Sequence, residues 1–116
     1  MKLRRDLWTA VLFLCIVGTA IGRVNPSLTL SSARVQHRGL LTMHGSGFTP
    51  GQNVSSHLRK PDRQEFPVLP ILTDQRGDFT HKIDTLVLAP GVYELWAVDD
   101  ASKASSTVVQ FEVIPD

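Results

Sequence analysis

The sequence predicts an all-β domain, a two-layer sandwich of about seven short strands behind an N-terminal export signal. Three observations predict it. From Pro26 onward no stretch keeps apolar residues at helical spacing for three turns, and short apolar–polar alternations recur between clusters of Gly, Pro, Asn and Asp. The first two dozen residues differ in composition from everything that follows.

Lys2, Arg4 and Arg5 precede an apolar run from Leu7 to Ile21, interrupted by Thr9, Gly18 and Thr19, and the run closes in Ala20-Ile21-Gly22. This is the layout of a secretory signal peptide. A helix over residues 7–21 would reach roughly 22 Å, short of the roughly 30 Å hydrocarbon core of a bilayer. Cleavage is expected after Gly22, with Ala20 as the other position, so residues 1–22 form the signal and 23–116 the folded domain. The alternative is an uncleaved anchor, because a tilted or snorkelling segment of this length can still hold in a membrane. Arg4-Arg5 lacks a preceding Ser or Thr and serves as an ordinary positive n-region. Cys15, the sole cysteine, follows Leu14, too large a residue for a lipoprotein cleavage box. The domain beyond the signal therefore has no thiol and is held by packing.

Strands are expected near 27–32, 40–44, 53–59, 69–73, 79–83, 92–98 and 107–113, the count and spacing of a sandwich. Gly45-Ser46-Gly47 ends the second where the chain must reverse, and Pro50-Gly51 has the residues of a type II turn. Asp74-Gln75-Arg76-Gly77 reads as a bulged hairpin, with Phe79 starting the return strand. Pro61, Pro67 and Pro70 crowd one segment, and a proline cannot donate to a ladder, so the strand near Leu69 must be an edge or irregular. Period two places Leu41 and Met43, Val54 and Leu58, Phe79 and Ile83, Tyr93, Leu95 and Ala97, and Val109, Phe111 and Val113 on inward faces, with Phe48 over the corner.

Charge excludes one class of partner. The whole chain is formally +1, but loss of the first 22 residues removes Lys2, Arg4, Arg5 and Asp6, leaving nine basic and ten acidic groups. There is no basic stripe for nucleic acid or for polybasic membrane attachment, so any membrane contact is expected only through residues 7–21.

Three motifs in register carry a family resemblance. Gly45-Ser46-Gly47-Phe48-Thr49-Pro50-Gly51 followed by Val54 resembles the G-x-G-F-x-P-G-x-x-V corner of bacterial immunoglobulin-like domains, including IPT/TIG-like ones, of exported and surface proteins. Asp74-Gln75-Arg76-Gly77-Asp78-Phe79 resembles their D-x-x-G-x-F hairpin, and Leu88-Ala89-Pro90-Gly91-Val92-Tyr93 their L-x-P-G-x-Y penultimate strand. The likeness spans about Gly39 to Val113 and implies a single immunoglobulin-like β-sandwich. It also implies structural roles for Gly45, Gly47, Phe48, Pro50, Gly51, Asp74, Gly77, Phe79, Pro90, Gly91 and Tyr93. Such domains serve as spacers, adhesion modules or polysaccharide-binding accessories, and a shared fold does not fix a shared activity.

Candidate sites follow from facing. Tyr93 is placed so that its hydroxyl can reach back to the backbone near Ala89 as a tyrosine corner. If Tyr93, Leu95 and Ala97 face inward, Trp96 faces outward with Val92, Glu94 and Val98, and an indole there is a candidate contact for sugar rings or protein; the bland alternative is an aromatic shielding a neighbouring strand or covered by the proline-rich segment. Trp96, Val98 and Asp99, with the loops beside Asp99 and Asp74, are the expected contact region. His37, His44, His57 and His81 sit on different expected elements without metal-ligand spacing, and Asp74, Asp78, Asp99 and Asp100 form no recognisable calcium loop. No nucleophile elbow and no carboxylate pair with separated environments is present. The expectation is a secreted, periplasmic or surface-exposed module without cofactor, metal or catalysis, binding an envelope protein or polysaccharide; the alternative is a passive spacer, anchored or part of a longer repeat protein.

Overall fold

A computed structural model describes residues 25–116; the signal and its cleavage position lie outside the described residues. Eight strands follow in order: β1 (Ser27–Leu30), β2 (Arg34–Gln36), β3 (Leu40–Ser46), β4 (Asn53–Arg59), β5 (Leu69–Leu72), β6 (Phe79–Asp84), β7 (Gly91–Asp99) and β8 (Val109–Ile114), with a short 3-10 turn at Thr85–Val87. All seven expected strands are present, within one to two residues at most ends. Added to them is β2, which has only three residues and one apolar side chain, Val35, and so presents no alternation to detect.

The strands form two sheets, β1-β3-β6 and β2-β8-β7-β4-β5. Every neighbouring pair is antiparallel except β2 and β8, which run parallel. After β1 the chain crosses from the first sheet to the second: Ser31 still bonds Thr42 of β3, while Ala33 O already accepts from Glu112 N–H of β8 at 2.8 Å. No helix among the described residues is long and apolar enough to cross a membrane.

Period-two alternation sets the layers. Leu41, Met43, Val54, Phe79, Tyr93, Leu95, Ala97, Phe111 and Val113 are buried between the sheets with Phe48, and Leu58, Ile83 and Val109 pack against them half-buried. Leu28 of β1 joins this core with Leu30 half-buried beside it, and Leu88, which caps the 3-10 turn outside any strand, joins it too. The proline-containing β5 is an edge strand. Thr73 N–H donates to Gln52 O at 3.0 Å, and by the two-residue alternation of an antiparallel ladder the nitrogen of Pro70 faces away from β4, where no donor is required.

Candidate functional site

The outer face of the five-stranded sheet holds Trp96. It is opposite His57 of β4, and the two rings stack at 5.1 Å between centroids with planes 5° apart. The Arg59 guanidinium lies 4.8 Å from the indole centroid, a cation–π contact. Arg59 in turn donates to Glu94 at 2.8 Å and lies 3.8 Å from Glu65, and Glu65 lies 3.6 Å from Nδ1 of His57. Glu94 is also approached by Arg63 at 3.7 Å and by the Gln110 amide at 3.5 Å. Trp96 thus faces outward but is half-buried beside His57 and Arg59 of β4, both of which lie against Glu65 of the proline-rich segment.

Apolar side chains flank the indole along the same face. The pairing slips by one residue on both flanks: Thr107 and Val108 together lie opposite Trp96, between the Ala97–Ser106 bond and the Leu95–Val109 pair, and Pro67 and Val68 together lie opposite His57, between the Leu58–Phe66 bond and the Ser56–Leu69 pair. Val108 and Val68 are 54% and 47% exposed. Val98, Pro70 and the 67%-exposed Leu72 extend the patch toward the far end of the sheet. A mixed polar border of Arg59, Arg63, Glu65, Glu94 and Gln110 closes one side. An apolar centre with a polar rim is the usual composition of a protein-contact surface.

Asp99 does not belong to this face, contrary to the sequence expectation. It ends β7 on the inward side and is fully buried. Its Oδ2 accepts from the Thr49 N–H (2.9 Å), the Thr49 hydroxyl (2.6 Å) and the Ser102 hydroxyl (2.9 Å), and Oδ1 accepts from the Ala101 N–H (3.2 Å). Burial pushes its pKa up, but the bonds from Thr49, Ser102 and Ala101 outweigh burial and hold the carboxyl below its ordinary 3.8. Asp99 is a clasp between the Phe48–Gly51 corner and the loop after β7. Thr49 lies fifty residues away in sequence, so no local spacing announces the contact.

The remaining motif residues build corners. Gly47 (φ 78°) and Gly51 (φ 66°) take left-handed conformations, as the turn chemistry requires. Gly45 does not: it lies within β3 opposite Phe79, and its role is close approach, since a Cβ there would run into the Phe79 ring. Phe48 and Phe79 meet at 5.4 Å. Asp74 Oδ1 accepts from Arg76 N–H (2.8 Å) and Asp78 N–H (2.9 Å), and these backbone bonds, that from Asp78 first, lower its pKa. Pro50 is exposed in the corner, and Pro90 precedes Gly91, which abuts Pro61.

Tyr93 stacks on Phe111 at 5.4 Å and its hydroxyl donates to Ala89 O at 2.7 Å, tying β7 to the loop that enters it. Burial, then the Asp62 carboxylate, push the phenol above its ordinary 10.0, so it remains a donor at neutral pH. Tyr93→Phe removes this bond alone and is expected to lower stability by about 1–1.5 kcal/mol in chemical denaturation, with an unchanged denaturant slope.

Among the described residues no group of three or more His, Cys, Asp or Glu side chains is placed to hold a metal ion. Topology and corners define the class: an immunoglobulin-like β-sandwich module. No family model matches the chain, and no curated protein sequence does. Among solved structures, the PKD domain of an M14-like peptidase from a Thermoplasmatales archaeon is similar at 18% identity and a TM-score of 0.41, over 79% of this chain and 94% of that one.

Proposed function

We propose that the protein is an exported, non-catalytic binding module of the bacterial immunoglobulin-like, IPT/TIG-like kind, and that it engages an envelope protein through the outer face around Trp96. The observation that carries this reading is the apolar row Val108–Trp96 continued by Val68 beyond His57, preorganised by the Trp96–His57 stack and bordered by charge. A ring held by stacking loses little freedom on binding, which favours contact over mere shielding. The basic n-region and apolar run of residues 2–21 support export.

Pull-down of envelope proteins and of cell-wall polysaccharide with wild type, Trp96→Ala and Val108→Lys tests the reading. Protein capture is expected to fall at least tenfold with both variants while the melting transition of Val108→Lys stays within a degree or two of wild type. Capture of polysaccharide alone would transfer the site to a sugar ligand. Equal capture of protein by all three forms would leave a passive spacer.

A further inference from the structure

The three-stranded sheet ends at β6, and among the described residues no strand lies beyond it. Thr85 N–H donates to Gly39 O at 3.1 Å in the register that pairs Asp84 with Leu40, so the odd-numbered residues of β6 bond β3. The N–H and C=O groups of Thr80 and Lys82 consequently point to the free edge. The other sheet's edge differs, because Pro70 removes an outward donor from β5; β6 contains no proline. Of the two edges that lie over one another on this side of the sandwich, β6 and β5, β6 is therefore the one with a complete set of backbone partners to offer.

Beside that edge, between β6 and β5, opens a cavity of about 240 Å³, apolar at Met43, Leu58, Phe66 and Ile83 and bordered by Lys82 and Asp84 of the edge strand itself. An apolar cavity of about 150 Å³ accepts benzene, so this one has room for a large aliphatic or aromatic side chain. Its wall includes Lys82, Ile83 and Asp84 of β6, so it adjoins the edge along which a further strand of the first sheet would run. A chain added there would put every second side chain over the cavity and the alternate ones on the polar outer face with Thr80, Lys82 and Asp84.

Charge selects the occupant. Lys82 is exposed on that outer face, and among the described residues no carboxylate lies within ion-pair distance of it. Antiparallel pairing of two β6 edges about Lys82 would bring two ammonium groups side by side, which is unfavourable, and the register that instead sets Lys82 against Asp84 of a second copy leaves only residues 82–84 of the strand paired. A carboxylate in the same position is favourable. We infer that β6 and the adjoining cavity form a strand-addition site for an extended peptide of another protein, with large apolar side chains at alternate positions and an acidic residue opposite Lys82. This site lies on the other sheet from Trp96 and stands independently of that face.

The test uses the full chain and two synthetic seven-residue peptides, one alternating Leu with Glu and Thr, the other with Lys in place of Glu. The acidic peptide is expected to slow hydrogen exchange at the amides of Thr80 and Lys82 and to bind at least tenfold more tightly than its basic twin. Lys82→Glu should reverse that preference. Lys82→Pro removes a donor that faces away from β3, as Pro70 does in β5, and should weaken binding at least tenfold at an unchanged melting temperature. Should that variant unfold, the charge reversal decides alone. The inference is overturned if neither peptide protects Thr80 and Lys82 at saturation, if the two peptides bind alike, or if the same amides become protected by dimerisation without peptide.

Discussion

Asp99→Ala is expected to destabilise the domain by about 3–4 kcal/mol, since each buried backbone donor deprived of a charged acceptor costs about 1–3 kcal/mol and Thr49 loses both its N–H and its hydroxyl bond. Against a total stability of about 5–15 kcal/mol this is a large fraction, and the melting temperature should fall by roughly 15–25 °C. Asp99→Asn retains the shape but only one of the two acceptor oxygens and no charge. With its amide nitrogen toward Thr49, or turned toward Ala101, it sets one N–H against another, so it recovers only part of the loss.

The same clasp predicts the acid limit. The folded carboxyl is held below 3.8, so the unfolded chain takes up the proton at the higher pH. The stabilisation is complete above the unfolded value and disappears as pH falls through it toward the lowered folded value. Asp74, lowered by backbone bonds in the hairpin, acts with the same sign. Thermal unfolding should be level from neutral pH to about pH 5 and decline below about pH 4. Asp99→Asn should show a shallower decline; an identical acid profile would remove Asp99 as its source.

Gly77→Ala is expected to cost at least about 3 kcal/mol. A left-handed backbone charges a non-glycine residue about 1–2 kcal/mol, and Gly77 sits at φ 82°. Beyond that, the added Cβ would overlap the carbonyl of Phe48, a backbone group that cannot swing aside because Phe48 N–H is bonded to Gly77 O at 3.2 Å and its ring is packed on Phe79. Gly51→Ala is the control. Its φ is equally left-handed, but nothing stands within 4 Å of the new atom, so only the backbone cost of about 1–2 kcal/mol applies. Equal losses in the two variants, measured by chemical denaturation, would show that the Phe48 contact contributes nothing.

What the sequence reveals about this fold is whatever repeats with period two or is closed by a turn. Leu41 with Met43, Tyr93 with Leu95 and Ala97, and the Asp74–Gly77 hairpin are local patterns, and the interior follows from them. The Tyr93-to-Ala89 reach is local too, spanning four residues. Pairings between distant segments are not legible in this way. Val35 is a lone apolar residue until β8 lies beside it, and the cover over Trp96 depends on a register that pairs it with His57. Asp99 reads as an exposed loop-end acid because its partners are supplied by a corner far upstream. Parity places Trp96 on the outer face; how much of the indole remains accessible is decided by β4.

The parallel pairing of β2 with β8 bears on how this module would carry tension. The chain enters through β1 and β2 and leaves through β8, and the first and last of these flank the rest of the fold. Because β2 and β8 point the same way, tension between residues 25 and 116, once it has parted β1 from β3, slides one strand along the other. The Glu112-to-Ala33 and His37-to-Ile114 bonds and those between them are then stretched together instead of being unzipped one at a time. Three residues that contribute almost nothing to the interior thereby act as a latch against extension.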